Sequence, residues 1–350
     1  MQREAYFDNA KLLFIFLVVF GHLIQPLKES IELVNVLYQW IYIFHMPVFI
    51  LISGFFAKGA SNKGYLIKLF KRILVPYFIF QILYTIYFLG IGKNDWDTSL
   101  YDPQWGLWFL LSLFSWHLLL IVFKKIPPMI GIPLAFLIGI MIGYLPVIGE
   151  AFSLSRTFVF FPFFLIGYWL TKERLFAWKN RKNQIVSVAI LFVVFLVSYL
   201  QPKIPTGWLF GSHSYLDLEL PFYGGAARFG LYLLAIFMVF SVLLLVPKQR
   251  YSFTNLGQNT MYVYLLHGII IQYGREAGLL QLDHNLDTIG LAVIAAAIVW
   301  FLSSKSVATF TQPIVEGKTT LLAKWFENRE NKWKKREQRD AYPAYKEKSS

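Results

Sequence analysis

Residues 8–22 read Asp8-Asn9-Ala10-Lys11-Leu12-Leu13-Phe14-Ile15-Phe16-Leu17-Val18-Val19-Phe20-Gly21-His22. This run is apolar except at its two ends, and we expect it to form a helix. A helix would place Lys11 and His22 within about 20° of one face and roughly 16 Å apart along the axis. Ionisable groups within a membrane are costly, so both residues are functional candidates.

The composition indicates a polytopic membrane protein. Of the 350 residues, 57% are hydrophobic and only 15% are charged, which is too apolar for an ordinary soluble domain. The absence of cysteine excludes disulfides, a thiolate nucleophile and a cysteine-based metal site. The net charge is +13, and the Lys and Arg residues responsible for it are concentrated in particular loops and in the tail. Anionic membrane lipids are therefore a simpler partner for them than nucleic acid, and we do not expect the protein to bind nucleic acid. The first apolar run lacks a small-x-small cleavage site, so we interpret it as a retained helix.

Apolar segments long enough to approach a bilayer span recur along the chain. The predicted spans are 10–27, 37–57, 73–92, 105–123, 130–148, 157–171, 184–200, 229–247, 259–274 and 288–304.

The distribution of Lys and Arg gives an orientation to these spans. With the N-terminus inside, the inner connections hold 26 Lys and Arg and the outer connections hold 6. The sequence therefore predicts an all-α integral membrane protein, a single bundle of ten transmembrane helices with both termini cytoplasmic. Residues 1–317 would form the membrane domain and residues 318–350 a basic cytoplasmic tail.

Histidines fall at related depths in these spans. Counting 1.5 Å per residue puts His22 and His45 at nearly the same height, with His267 slightly lower and His117 lower still. A histidine in a membrane helix is often a hydrogen-bonded packing residue, and this alternative stays open for each, most of all for His117. A three-histidine metal site is not favoured, because no carboxylate partner and no His-x-x-x-His spacing accompany these residues.

The longest outer connection, 201–228, is a second region of interest. It contains Trp208 and Arg228 among Pro and Gly residues. It is predicted to be an outer lid or acceptor-binding surface, with a plain loop as the alternative. The sequence has no convincing Walker loop, GxGxxG motif or DxD motif of the glycosyl-transfer type.

Several motifs together resemble the membrane-bound acyltransferase 3 family, nearest its fucose 4-O-acetylase-like branch. The matching residues are Lys11 and His22 as Lys-x10-His with Asp8 before them, Phe44-His45-Met46-Pro47-Val48-Phe49-Ile50-Leu51-Ile52-Ser53-Gly54-Phe55-Phe56, Leu107-Trp108-Phe109-Leu110, Phe161-Pro162-Phe163-Phe164-Leu165-Ile166-Gly167-Tyr168, and Leu256-Gly257-Gln258-Asn259-Thr260-Met261-Tyr262-Val263-Tyr264-Leu265-Leu266-His267. They run in order from about Asp8 to Leu302.

This resemblance implies transfer of an acyl group, usually acetyl from acetyl-CoA, to a hydroxyl of a carbohydrate, glycolipid or other cell-envelope acceptor. No bound cofactor is expected, and the protein would be a multi-pass component of a bacterial plasma membrane. The family's catalytic histidine corresponds to His22 and its cation to Lys11. The family's Arg-x-x-Arg pattern corresponds to Lys68-Leu69-Phe70-Lys71-Arg72, where only Arg72 is an arginine.

Candidate roles follow from the chemistry of acyl transfer, which needs a base, a stabilised oxyanion and a site for the CoA phosphates. Direct attack by the acceptor hydroxyl is favoured over an acyl-histidine intermediate. The candidate catalytic residues are His22, His45 and His267; the donor-binding residues are Lys11, Lys68, Lys71 and Arg72; the acceptor-binding or supporting residues are Asp8, Trp108, Arg156 and Arg228.

A rival class is a transporter or exporter of a sugar or glycolipid. Ten helices and a polar cluster at mid-membrane would fit it. The sequence has no deep intramembrane carboxylate and no evident inverted repeat, and both absences weigh against transport.

Overall fold

The regular structure of the described residues is entirely helical. A computed structural model describes residues 4–59, 64–92, 102–148, 151–200, 204–279, 284, 287–325, 327, 328 and 331, and no strand occurs among them. The α-helices are α1 (Ala5–Ile24), α2 (Glu32–Phe55), α3 (Tyr65–Leu69), α4 (Val75–Gly90), α5 (Trp108–Phe123), α6 (Pro128–Met141), α7 (Leu154–Trp169), α8 (Lys172–Trp178), α9 (Arg181–Leu200), α10 (Thr206–Phe210), α11 (Gly224–Leu245), α12 (Thr260–Glu276), α13 (Asp287–Leu302) and α14 (Lys305–Glu316).

Each predicted span contains one of these helices, but fewer than ten are long and apolar enough to cross a bilayer alone. Two pairs are bent, α7 with α8 by 94° and α13 with α14 by 69°, and counting each pair as one span raises the number among the described residues from six to eight. The six are Ala5–Leu27, Glu32–Lys58, Tyr65–Gly90, Trp105–Phe123, Arg181–Leu200 and Gly224–Leu245.

The predicted spans at 130–148 and 259–274 account for the rest of the difference. The first is a short apolar helix over Pro128–Tyr144. The second is α12, which has 17 residues and carries His267, Gln272 and Arg275. Because these polar side chains would be costly in lipid, α12 depends on neighbouring helices for shelter. The protein is thus a multi-pass helical membrane protein, while the number ten stays a prediction.

The most extensive helix contact joins α2 and α7. A Cβ on Gly54 of α2 would lie 2.0 Å from the Phe164 carbonyl oxygen, and one on Gly167 of α7 would lie 1.9 Å from that of Leu51. Only glycine permits the two backbones to approach this closely, the usual device of membrane helix pairs. The contact fixes the helix that carries His45 against the helix that carries Arg156.

The helix α1 lies inside the bundle, in contact with α2, α12, α13 and a 3₁₀ turn at Thr254–Gln258. Near its start, the Asn9 side-chain amide donates to the carbonyls of Pro247 at 3.0 Å and Gln249 at 2.8 Å. The Thr254 hydroxyl donates to the Asn9 side-chain oxygen at 2.7 Å. Buried polar groups that are satisfied in this way hold a helix in one position. The depth of Lys11 and His22 is therefore set by the bundle.

Helix α14 stops at Gly317, whose φ of +64° favours glycine. A further helical stretch follows at residues 320–325. The basic cluster of the predicted tail, at residues 332–336, lies outside the described residues.

Candidate active site

The first cavity contains His22 and has a volume of about 180 Å³. We call it the His22 cavity. Its lining residues are His22, Gln25, Tyr42, His45, Met46, Trp105, Gly106, Trp108, Arg156, Phe160, Leu209 and Phe210.

Three histidines from three helices meet at this place. The ring centroids of His22 and His267 are 5.6 Å apart, and His45 lines the same cavity as His22. The Nδ1 atoms of His45 and His267 lie 3.0 and 2.9 Å from carbonyl oxygens one turn earlier on their own helices. Since a carbonyl only accepts, each Nδ1–H donates and leaves Nε2 as the remaining ring nitrogen. His22 Nδ1 is buried with no hydrogen-bond partner.

Trp105 completes this cluster and was missed by the sequence analysis. Its ring centroid lies 4.4 Å from that of His22 and 4.9 Å from that of His267. Trp105 has a φ of +48°, which is uncommon for a bulky residue and often marks a functional site. Gly268 makes room for the ring, because a Cβ there would lie 2.1 Å from Trp105 Cζ3. The sequence feature that could have indicated Trp105 is its position directly before the motif Leu107-Trp108-Phe109-Leu110.

Arg156 and Trp108 line the His22 cavity together. The Arg156 guanidinium carbon lies 5.3 Å from the Trp108 ring centroid, within the range of a cation–π contact. Arg156 is in the first turn of α7, just after Phe152 and Ser153, which have φ values of +52° and +54°. This strained turn presents the Arg156 side chain to the cavity.

Part of the connection 201–228 lies at the site, and its role as a lid stays a prediction. Leu209 and Phe210 of α10 line the His22 cavity. Arg228 lines a neighbouring cavity of about 30 Å³, which shares Tyr42 with the His22 cavity. Arg228 is only 5% exposed, and one guanidinium N–H donates to the Trp208 carbonyl at 2.7 Å. Arg228 therefore lies behind the His22 cavity rather than in its wall.

The second cavity contains Lys11 and has a volume of about 580 Å³. We call it the Lys11 cavity. Its lining residues are Lys11, Phe49, Ile52, Ser53, Phe56, Tyr65, Lys68, Leu69, Arg72, Leu113, His117, Thr260 and Met261.

Three of the four predicted donor-binding cations line this cavity, namely Lys11, Lys68 and Arg72. Lys71 is exposed and is not part of the lining. Tyr65, Lys68, Leu69 and Arg72 follow the i, i+3, i+4, i+7 spacing of one helix face, and Lys71 is off that face. The segment Phe70–Leu74 is a π-helical turn, a distortion that is frequent at functional sites.

Lys11 and His117 have further neighbours in the Lys11 cavity. Lys11 Nζ lies 3.9 Å from a carboxylate oxygen of Asp8, which is 1% exposed, and 4.5 Å from the Phe56 ring centroid. His117 Nδ1 lies 2.7 Å from the Tyr65 hydroxyl oxygen. His117 is predicted mainly as a hydrogen-bonded packing residue, and its partner Tyr65 lies outside the predicted spans.

The two cavities follow one another along the same helices. Helix α1 contributes Lys11 to one and His22 to the other, and α2 and α5 likewise line both. Helix α12 contributes Thr260 to the Lys11 cavity and, two turns further on, places His267 beside His22. The rings of Phe49, Phe109 and Tyr264 lie between the two cavities. The Phe109 ring centroid is 5.5 Å from that of Phe49 and 5.6 Å from that of Tyr264.

Among the described residues no group of three His, Cys, Asp or Glu side chains could hold a metal ion.

A multi-pass helical bundle with a basic cavity in line with a histidine-lined cavity has the features of a membrane-embedded transferase. The family model described as an acyltransferase domain, of the acyltransferase 3 type, matches residues 4–304. The chain belongs to this family. The resemblance seen in the motifs is therefore confirmed at family level.

Curated relatives agree with this assignment. The chain is 22% identical over 333 residues to the nodulation protein NolL of Mesorhizobium japonicum, covering 85% of this chain and 86% of that protein. It is 26% identical over 324 residues to the nodulation protein NolL of Sinorhizobium fredii, covering 85% of each chain. No solved structure matches the chain. The protein is a membrane acyltransferase, and the transporter alternative is not supported.

Proposed function

We propose that the protein transfers an acetyl group from acetyl-CoA to a hydroxyl of a carbohydrate or glycolipid acceptor of the cell envelope, with His22 as the base. The observation that carries the proposal is the alignment of the Lys11 cavity and the His22 cavity along α1. Lys11 and His22 are eleven residues apart, roughly 16 Å along a helix, which is about the reach of an extended pantetheine arm.

The donor's nucleotide end would bind in the Lys11 cavity. Lys11, Lys68 and Arg72 bring three cations to one cavity, and Arg72 can hold a phosphate through two parallel hydrogen bonds. The cavity volume of about 580 Å³ is within the usual range of ligand sites. The uncharged pantetheine arm would then pass along the adjoining rings of Phe49, Phe109 and Tyr264 to bring the thioester beside His22.

The chemistry would be direct acyl transfer. His22 takes the proton of the acceptor hydroxyl as its oxygen attacks the thioester carbon, and the C–S bond of the tetrahedral adduct then breaks to release CoA as a thiolate, which takes up a proton. His45, which lines the His22 cavity, would support the acceptor, and His267, whose ring lies beside that of His22, would support His22. Arg156, with Trp108 beneath it, is the cation in the cavity wall that can stabilise the developing oxyanion.

The orientation predicted from the charge distribution suits this reaction. Both termini would be cytoplasmic, in a bundle of ten spans in a bacterial plasma membrane. The Lys11 cavity would then face the cytoplasmic acetyl-CoA pool, and the acceptor would reach the His22 cavity past Gln25 and Phe210. Asp8 would hold Lys11 in place, and Arg228 would support the acceptor side from behind Trp208.

Substitution of His22 tests the proposal. Purified His22→Ala protein, given acetyl-labelled acetyl-CoA and envelope polysaccharide as acceptor, should lose at least 100-fold in CoA release, since general base catalysis contributes about 10²–10⁴-fold. The matched control is His284→Ala, because His284 is exposed and remote from both cavities. A folded His22→Ala protein with turnover within tenfold of the wild type would refute the role of His22. Mass spectrometry of envelope polysaccharides from cells with and without the protein identifies the acceptor.

A further inference from the structure

The end of α1 has an irregularity directly at His22. In a regular helix the carbonyl of residue 22 accepts a hydrogen bond from the N–H of residue 26. Residue 26 is Pro26, which has no N–H, and the chain continues as a 3₁₀ turn over Gln25–Leu27. The N–H of Gln25 makes the regular bond to the Gly21 carbonyl, so it does not serve the His22 carbonyl either. The sequence thus removes the ordinary partner of the His22 carbonyl.

Arg275 supplies a replacement from another helix. Its Nη2 atom lies 2.5 Å from the His22 carbonyl oxygen and 3.1 Å from the side-chain oxygen of Gln25. Arginine is always charged, and a cation at the carboxyl end of a helix also interacts favourably with the helix dipole. One side chain therefore satisfies the freed carbonyl and fixes Gln25, which lines the His22 cavity.

The position of Arg275 on α12 links this contact to the histidine cluster. Arg275 follows His267 by eight residues, about 80° of rotation around the axis, so both side chains lie on one side of α12, roughly two turns apart. His267 contacts the ring of His22, and Arg275 contacts its backbone. Arg275 Nε is buried without a hydrogen-bond partner.

We infer that Arg275 is a positioning residue, which holds the imidazole of His22 in its reactive place by bonding the carbonyl that Pro26 leaves free. The inference rests on the proposed function, in which His22 is the base. It assigns Arg275 no contact with the donor or the acceptor. A displacement of about 1 Å at a reacting group can cost roughly 100-fold in rate, so loss of this bond should be visible in kcat.

Pro26 provides a specific test, because alanine at position 26 restores the missing N–H. Arg275→Gln should lower kcat by about 30-fold and leave the KM for acetyl-CoA unchanged, since the Lys11 cavity is at the other end of α1. Pro26→Ala alone should remain within about threefold of the wild type. The double variant Pro26→Ala/Arg275→Gln should regain a kcat within about threefold of Pro26→Ala. Arg250→Gln, an exposed arginine outside both cavities, is the control.

Each result decides the inference. A kcat for Arg275→Gln near that of the wild type overturns it, and so does a folded double variant that stays as slow as Arg275→Gln. If Arg275→Gln does not accumulate, the double variant decides: accumulation with a kcat near that of Pro26→Ala supports the inference, and failure to accumulate overturns it. An active His22→Ala protein would refute the proposed function itself, whereas an inactive His22→Ala protein with normal Arg275 variants would refute only this inference.

Discussion

Gly268 gives a sharp test of the geometry around His22. A Cβ at position 268 would lie 2.1 Å from Trp105 Cζ3 and 2.3 Å from the Tyr84 hydroxyl oxygen. Gly268→Ala adds a single methyl group to a helix in which alanine is otherwise the preferred residue. Its effect should therefore come from displacement of the Tyr84 hydroxyl and of Trp105, whose ring lies against both His22 and His267.

The size of the effect follows from the overlap. Carbon atoms in ordinary contact are about 3.5–4.0 Å apart, so Trp105 must move by at least about 1.4 Å to admit the methyl group. Such overpacking typically costs about 1–3 kcal/mol of stability. A shift of this size in the wall beside His22 should lower kcat by about 100-fold, with little change in the KM for acetyl-CoA.

The assay is CoA release by detergent-purified protein, with thermal unfolding measured on the same sample. Gly230→Ala is the matched control, because Gly230 is also within a helix and a Cβ there meets nothing within 4 Å. The control should keep its activity and lose no stability. If folded Gly268→Ala protein turned over within threefold of the wild type, the assignment of Trp105 to the reactive centre would be wrong.

Two further predictions concern charged residues. Arg72→Gln should raise the KM for acetyl-CoA by about 10-fold or more, which is the loss expected for one charged hydrogen bond. Lys71→Gln should leave the KM within about twofold of the wild type. An equal effect of the two substitutions would contradict the assignment of Arg72, but not Lys71, to the wall of the Lys11 cavity. Burial and the nearby Lys248 ammonium lower the pKa of Lys179 to about 8. The rate at which an acylating reagent modifies the Lys179 amine, measured by mass spectrometry as a function of pH, should therefore rise with a midpoint near pH 8. Lys248→Gln should move this midpoint upward, and a midpoint above pH 10 in the wild type would contradict the burial of Lys179.

The regular part of the site was predictable from the sequence. Lys11, His22 and His45 lie on helices, so counting residues at 1.5 Å each gives their relative depths. Lys68 and Arg72 could be assigned to one region because only a few residues separate them along the chain. These predictions depend on local spacing, and the helical bundle preserves local spacing.

The irregular part was not predictable. Trp105 reaches His22 through a positive φ and through the space left by Gly268, which is more than 160 residues away in the chain. Arg275 was counted among the outer connections, yet it lies within α12 and bonds to the end of α1. No pattern within one segment encodes these contacts.

The low charge of the bundle interior follows from the proposed reaction. The CoA phosphates cannot enter hydrocarbon, so the cations that bind them must lie at its edge, where Lys11, Lys68 and Arg72 line one cavity. Only the uncharged acyl-pantetheine arm has to reach mid-membrane, and it needs apolar and aromatic walls of the kind that Phe49, Phe109 and Tyr264 provide. The base beside the thioester must then be a group without a permanent charge. An imidazole meets that condition, which explains why histidines rather than carboxylates meet beside His22.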